Sequence, residues 1–410
     1  MEIAVIGGGA SGMMAAYFAA ARGFKVHLFE KNQILGKKIL ITGKGRCNLT
    51  NAADLENFFE NIPGNPYFMY SPLYFLDNLS TMKIFEDAGM PLKTERGKRV
   101  YPVSDKASDV SETLERLIRK RGVIIHKGMT VNEIKVENGC VAGIIANEKF
   151  FEFNGVILAA GGLSYPGTGS SGDGYKMAEA LGHTVTKLYP SLVGLICKED
   201  FCADLAGLSL RNIAIKIKNF KGKTVYTDFG ELLFTHKGVS GPVILSGSRH
   251  LIPFDKDGYR LFIDLKPALD EGMLDKRILR DFGENTNKSL KNALDKLLPK
   301  SLIPVVIDIS GINENKKINS ISKQERKSLL NTIKNFPLTI TKTAGFNEAV
   351  VTCGGIDINE INPSTMESKL VKNLHFAGEI IDVDGYTGGF NLQIAFSTGA
   401  LAGEKILSNK

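Results

Sequence analysis

What the chain lacks narrows its class first. Its five cysteines (Cys47, Cys140, Cys197, Cys202 and Cys353) are odd in number and scattered. None forms a C-x-x-C pair, which argues against a cysteine zinc cluster or a dithiol relay, and the thiols are expected to be reduced. No apolar run reaches 18 residues, so the sequence offers no membrane-spanning helix. No basic-then-apolar leader precedes the first apolar stretch. The expectation is a soluble, cytoplasmic protein with no metal and no membrane partner. Disorder is excluded by composition, since 43% hydrophobic and 23% charged residues are ordinary globular values. A chain of 410 residues is long enough for two or three domains, each with a core.

Most of the chain also lacks a charge excess. Residues 191–340 carry 24 Lys and Arg against 17 Asp and Glu, so the chain totals of 51 and 44 leave 27 of each elsewhere. The whole net charge of +7 therefore lies in the middle of the chain. That placement suits a region facing a polyanion while the rest holds a cofactor. A lysine-rich solvated surface would give the same count.

What is present in concentration is glycine at the start. An apolar run over residues 3–6 leads into Gly7, Gly8, Gly9, Ala10, Ser11 and Gly12, then into Met13-Met14-Ala15-Ala16. This reads as strand, turn and helix. Gly7, Gly9 and Gly12 match G-x-G-x-x-G, in which the glycines serve a tight turn, close approach of a pyrophosphate and helix-on-strand packing. The helix N-terminus adds free N–H groups for phosphate. A second strand over residues 25–29 ends in Glu30, placed for a ribose hydroxyl. The alternative is a glycine-rich turn that packs tightly and binds nothing. A second match, Gly167, Gly169 and Gly172, follows Pro166 and precedes no strand ending in an acid. It reads as a loop with Asp173 capping a helix rather than a second nucleotide site.

Further along, residues 66–89 read as helical, with Pro72 starting a segment, and 109–121 as an amphipathic helix stopped by Gly122. Apolar runs at 123–126, 129–136 and 141–146 suggest a small meander, and 155–162 another buried strand ending in glycines. From about residue 191 short alternating strands (212–217, 224–227, 231–234, 259–263) suggest a small barrel or sandwich. Helical spacing follows at 270–282, 290–298 and 323–334. Buried-strand patterns return at 348–355 and 373–379 before a last helix over 389–407. The expected fold class is α/β: a discontinuous Rossmann-like dinucleotide-binding domain (1–190 and 345–410) with an inserted domain at 191–344. That insert is expected to be a β-barrel over about 191–265 and helical over about 266–340, forming a lid whose basic face covers the cofactor.

Three separated segments resemble the flavin motifs of glutathione-reductase-type flavoproteins: the N-terminal fingerprint, the strand 156–162 with Ala160 where threonine is usual, and 374–379 with 388–393. Three longer motifs are more specific. G-x-G-R-C-N-x-T-N at 43–51, G-E-L-L-F-T-H-x-G-x-S-G-P at 230–242 and D-V-D-G-Y-T-G-G-F-N-L-Q at 382–393 are similar to the BaiN/YhiN flavoprotein family over essentially the whole chain. The resemblance implies FAD, with NAD(P)H as a transient reductant. It implies cofactor contacts at Gly7, Gly9, Ala10, Ser11, Gly12, Glu30, Lys31, Lys37, Lys38, Gly45, Arg46, Cys47, Asn48 and Val131. Further contacts fall at Ala160, Gly161, Gly378, Glu379, Gly389, Asn391, Leu392 and Gln393. Glu379 stands for the usual aspartate at the ribitol, and the helix starting near Asn391 would aim N–H groups at the flavin O2 side, favouring its reduced anion.

Candidate proton donors are Cys47, His236 and Tyr386, with Tyr165 as a further choice. Position 52 is Ala52, so Cys47 lacks the second cysteine of a disulfide reductase; a lone donor and a small residue packed in a tight turn both remain open. His236 sits in a glycine-flanked loop as donor, substrate ligand or structural residue. Arg96, Lys98 and Arg99 suit an anionic substrate or a solvated hairpin. The leading expectation is reduction of an electron-poor C=C bond, with a uracil in 23S ribosomal RNA converted to dihydrouridine as its specific form. Alternatives are a steroid or bile-acid-type enone, oxidation of a small amine, and an RNA-binding module holding FAD structurally.

Overall fold

In the computed structural model, which describes residues 1–408, the chain divides into two compact units, Met1–Pro190 with Phe346–Lys410, and Ser191–Gly345. Each closes its own hydrophobic core.

The first unit is built on a five-stranded parallel sheet in the order Leu374–Phe376, Gly155–Leu158, Glu2–Ile6, Lys25–Glu30, Ile124–Lys127. Ile3, Ala4, Val5, Val156, Ile157 and Leu158 are all fully buried, the continuous apolar pattern of a parallel sheet covered on both faces. Burial of each large side chain stabilises by about 1.5–3 kcal/mol. The helix Ala10–Ala21 is alanine-rich and ends where Gly23, at φ +84°, turns its N–H back to Ala20 O at 3.0 Å. It packs on the final helix, Phe390–Lys405. A Cβ on Gly399 would lie 2.3 Å from Ser11 O, and one on Gly403 2.3 Å from Ala15 O, so only glycine lets these backbones approach.

The run at 123–126 is corrected by the structure: as Ile124–Lys127 it joins the parallel sheet beside the second strand. The meander is instead Val131–Glu137, Cys140–Ala146 and Lys149–Glu152. Its tight turns place Asn138 with Gly139, and Asn147 with Glu148, at positive φ, as two-residue hairpins require. The 66–89 stretch breaks into Pro66–Met69, Tyr70–Phe75 and Asn78–Asp87, the last capped by the Asp77 side chain. Asp173 is the first helical residue of Asp173–Ala180 rather than its cap, which is Gly172; its carboxylate pairs with Lys31 at 2.6 Å.

The second unit holds a closed barrel of six strands, in the order Leu195–Cys197, Gly238–Ser240, Thr224–Thr235, Ser209–Asn219, Tyr259–Asp264, Phe336–Thr343. Ile213, Ile215, Ile217, Leu261, Ile263, Leu338 and Ile340 point inward and are buried, the period-two alternation of a barrel wall. Two expectations fail here. The runs 224–227 and 231–234 are one long strand, and the barrel does not end near 265, because Phe336–Thr343 closes it from beyond the helical segment. Among the helices, Glu271–Gly283 and Lys323–Lys334 appear close to their expected bounds, the latter with a Ser322/Glu325 capping box. The helix expected at 290–298 shrinks to Leu290–Ala293, and Ile303–Ile309 was not foreseen. Among the described residues no helix is long and apolar enough to cross a membrane.

Candidate flavin site

The fingerprint separates into glycines that the fold itself demands and one that it does not. Gly7 has φ +107°, and a Cβ there would meet Ala159 O at 2.3 Å; a Cβ on Gly12 would meet Gly7 O at 1.8 Å. Both are required by strand–helix packing alone. Gly9 adopts an ordinary extended conformation, φ −83° and ψ −169°, and a Cβ on it would meet nothing within 4 Å. Nothing in the protein explains its missing side chain, whereas close approach of a pyrophosphate does. Gly9 caps the helix without a side-chain hydrogen bond, leaving the N–H groups of Ala10, Ser11 and Gly12 for an anion.

Glu30 ends the neighbouring strand, almost fully buried. Its Oε2 accepts from Gly8 N–H at 2.8 Å and its Oε1 from Asn32 N–H at 2.7 Å and Asn32 Nδ2 at 2.6 Å. The carboxylate is thus held rigidly at the turn with lone pairs left for ribose hydroxyls. Met129 N–H donates to Glu30 O at 3.0 Å, which brings the start of the meander at Val131 to the same end of the site.

The neighbouring lysines are engaged by protein groups. Lys31 Nζ donates to Ser171 Oγ and Asp173, Lys37 Nζ reaches Asn32 Oδ1 at 3.3 Å, and Lys38 Nζ contacts Ser164 Oγ and Glu379 Oε2, both at 2.5 Å. Glu379 follows the strand Leu374–Phe376. Its Oε1 accepts from Ser164 Oγ and from the N–H and Oγ1 of Thr352, the latter two at 2.9 Å. Burial alone would raise this carboxyl, but the Lys38 charge and the hydrogen bonds from Lys38, Ser164 and Thr352 outweigh it and hold it below the usual range. Ala160 and Gly161 lie on the loop that leads from the strand Gly155–Leu158 to Ser164, and Gly378 packs against Ser11, whose Oγ a Cβ would meet at 2.4 Å. The three sequence-distant flavin segments therefore converge on one end of the parallel sheet.

At the last helix, Gly389 at φ +99° caps without a side-chain bond, so the N–H groups of Phe390, Asn391 and Leu392 remain open. Asn391 itself ties the preceding loop, accepting from Gly385 N–H at 2.8 Å and donating to Gly385 O at 2.6 Å. Gln393 corrects its expected role. It is fully buried, its Oε1 accepting from Thr50 Oγ1 and its Nε2 donating to Leu76 O, Thr81 Oγ1 and Ser397 Oγ. Its side chain belongs to the core.

In the 43–51 loop, Arg46 donates to Asp105 and Glu95 and lies 4.3 Å from the Tyr101 ring centroid, so it fastens the loop to the hairpin that carries Arg96, Lys98 and Arg99. Gly45 has φ +84° with open space where a Cβ would be. Asn48 Oδ1 is shut off from solvent and accepts no hydrogen bond among the described residues, an orphaned acceptor suited to a ring N–H. Cys47 is fully buried at φ +57°. Burial pushes its thiol up to about 12, with only partial relief from the Thr42 hydrogen bond. It is a packed thiol, not a reactive thiolate.

Of the other proton-donor candidates, Tyr386 is half-buried beside Asn391, its N–H donating to Asn61 O at 2.9 Å. Tyr165 sits at φ +51°. His236 belongs to the other unit, exposed on the two-residue turn between Thr224–Thr235 and Gly238–Ser240. No cluster of described residues could hold a metal ion.

An uncapped helix start, a glycine without a packing reason, a fixed acid and an orphaned acceptor together fit a flavin dinucleotide. Comparison with known proteins agrees. The HI0933-like protein Rossmann domain family matches residues 1–405. A 3-dehydro-bile acid delta(4,6)-reductase of Clostridium scindens is 35% identical over 409 residues, covering 98% of both chains. A ribosomal RNA dihydrouridine synthase of Haemophilus influenzae is 32% identical over 402 residues, covering 97% of this chain and 96% of its own. The fold also matches the crystal structure of a 3-ketosteroid-delta4-(5alpha)-dehydrogenase of Rhodococcus jostii, at a TM-score of 0.55 and 17% identity, covering 99% of this chain and 96% of that one. The chain belongs to the HI0933-like family of Rossmann-domain proteins and is a flavin-dependent oxidoreductase.

Proposed function

We propose that the protein reduces an electron-poor C=C bond, and that its substrate is a uracil in ribosomal RNA, converted to dihydrouridine. FAD would be the resident cofactor, relaying hydride from NAD(P)H to the substrate carbon. The chain's own groups would bind and orient it: the Ala10–Gly12 N–H groups would hold the pyrophosphate, Glu30 the ribose, and the start of the helix Phe390–Lys405 the electron-rich edge of the ring. Tyr386, on the loop tied by Asn391, would be the proton donor in this reading, because Cys47 is sealed in the core.

The observation that carries the RNA reading is the outer wall of the barrel. Lys216 pairs across strands with Phe262, and Lys218 with Arg260. Lys218 Nζ lies 5.9 Å from the Phe262 ring centroid and the Arg260 guanidinium 5.2 Å from that of Phe220. Phe220 is 46% exposed. Among the described residues none of these three cations is ion-paired. Cations interleaved with aromatic faces on a strand surface bind phosphates and stack bases. The Haemophilus relative named as a ribosomal RNA dihydrouridine synthase supports the same reading.

A second reading, reduction of a steroid-like enone, is favoured by the Clostridium relative. Purified protein with NAD(P)H should convert uridine in an unmodified ribosomal RNA fragment to dihydrouridine, detected as a two-dalton mass gain. Turnover of a bile-acid enone with no change in the RNA would select the second reading.

A further inference from the structure

We infer that the surface formed by Pro66–Met69 and Tyr70–Phe75 is the interface of a homodimer. Residues 61–76 contain no charged side chain, although the chain as a whole is 23% charged. The segment is amphipathic in the ordinary way on its inner side, where Phe68, Met69, Pro72, Leu73 and Leu76 are buried. Its outer side is unusual. Tyr67, Tyr70 and Tyr74 recur at helical spacing, 79%, 43% and 68% exposed, and their rings stand nearly parallel, with centroids 6.0 and 6.2 Å apart. Phe59 backs the central ring at 4.4 Å. Phe75 and Leu79 continue the exposed apolar surface at 36% and 62%.

Such a row lies at the upper end of what a monomer exposes, where patches are often functional. Taking ~200 Å² per large side chain, the exposed parts of these five residues amount to roughly 600 Å² per copy. Two facing copies would bury about 1,200 Å², enough for a specific interface. The choice of occupant follows from charge. Nucleic-acid platforms combine stacking rings with cations for the phosphates, and this stretch has none, unlike the barrel wall. A neutral row rich in Tyr and Phe has the composition of an interface core. It is also self-complementary, since a two-fold axis brings each copy's row against its partner's without placing like charges together.

The row is held in place from behind. The last helix grips the segment through Gln393 Nε2 and Ser397 Oγ, both donating to Leu76 O, and Asn65 Nδ2 donates to Asp382 O at 2.6 Å. Dimerisation would therefore brace the 382–391 loop that carries Tyr386. This inference stands on surface chemistry alone and is independent of the substrate.

The test is the molar mass of the FAD-loaded full chain at micromolar concentration, by light scattering during gel filtration and by sedimentation equilibrium. The expected result is twice 44.7 kDa for the natural sequence. A Tyr67→Glu/Tyr74→Glu variant should run as a monomer with unchanged flavin absorbance and a dimer Kd raised at least ten-fold. Tyr67→Ser/Tyr74→Ser, which adds no charge, should weaken the dimer in the same direction and guards against misfolding of the first variant. A natural chain that is monomeric throughout, or a dimer indifferent to both variants, overturns the inference. So does a monomer that binds single-stranded RNA through Tyr67 and Tyr74.

Discussion

The cations around the flavin site and those on the barrel wall look alike in a residue count and behave oppositely in the structure. Lys31, Lys38, Lys93 and Arg46 are each matched to a carboxylate, at 2.6 Å to Asp173, 2.5 Å to Glu379, 2.6 Å to Asp105 and 2.6 Å to Asp105 respectively. They fix loops and strands that come from distant parts of the chain. Lys216, Lys218 and Arg260 face rings and solvent instead. The first group is structural equipment for a cofactor site, and the second is free to meet an anion. Even within the basic unit the difference holds, because Arg277, Arg326 and Lys334 of its helices are paired with Asp281, Asp275 and Asp264.

The largest effects should come from the glycine fingerprint. Gly12→Ala puts a Cβ 1.8 Å from Gly7 O and is expected to destabilise by more than about 4 kcal/mol, measured by urea unfolding. Gly9→Ala meets no atom; the apo chain should stay within about 1 kcal/mol of the natural one while losing FAD, measured as flavin absorbance per protein.

Next comes Lys38→Met, which leaves the half-buried Glu379 carboxylate without its cation and should cost on the order of 2 kcal/mol. The sign with pH is fixed by the depressed carboxyl. Its stabilising contribution is complete above the ordinary carboxylate value of 4.5 and disappears as pH falls through the lower folded value. The natural protein should therefore lose stability on acidification through that window. Lys38→Met should show a flatter profile there, and an unchanged profile would contradict the account of the pair. Arg46→Ala, at a more exposed pair, should lower the melting temperature less than Lys38→Met does.

The smallest effect on the fold should come from Lys216→Glu/Lys218→Glu, within about 0.5 kcal/mol and with full flavin content. The same double variant should weaken RNA binding and reduce its log-log salt slope by roughly 2. An unchanged salt slope would place the RNA elsewhere, and a large loss of stability would make these lysines structural after all.

What could be read from the sequence was what is local. Gly7, Gly9 and Gly12 lie within one turn and Glu30 at the end of the next strand, so spacing alone assembled that end of the site. The resemblance added the 43–51 and 382–393 segments. What escaped was set by partners far along the chain. Gln393 resembled a flavin contact until Thr50, Leu76 and Thr81 took its amide. At Glu379, the expected ribitol position, spacing could not show the cation beside it, because Lys38 lies 341 positions away. The strand Phe336–Thr343 follows a well-capped helix and contains Pro337, both misleading signals. It is a strand because Tyr259–Asp264 and Leu195–Cys197 leave it the gap that closes the barrel. Ile124–Lys127 lies directly before the meander in sequence, and only pairing with the edge of Lys25–Glu30 shows that it belongs to the parallel sheet.

The proposal that the substrate is a uracil in RNA is tested most directly by mass spectrometry of ribosomal RNA from a strain in which this gene is deleted. The account predicts loss of one dihydrouridine, restored by the natural gene and not by the Lys216→Glu/Lys218→Glu version. Unchanged dihydrouridine in the deletion strain would contradict it.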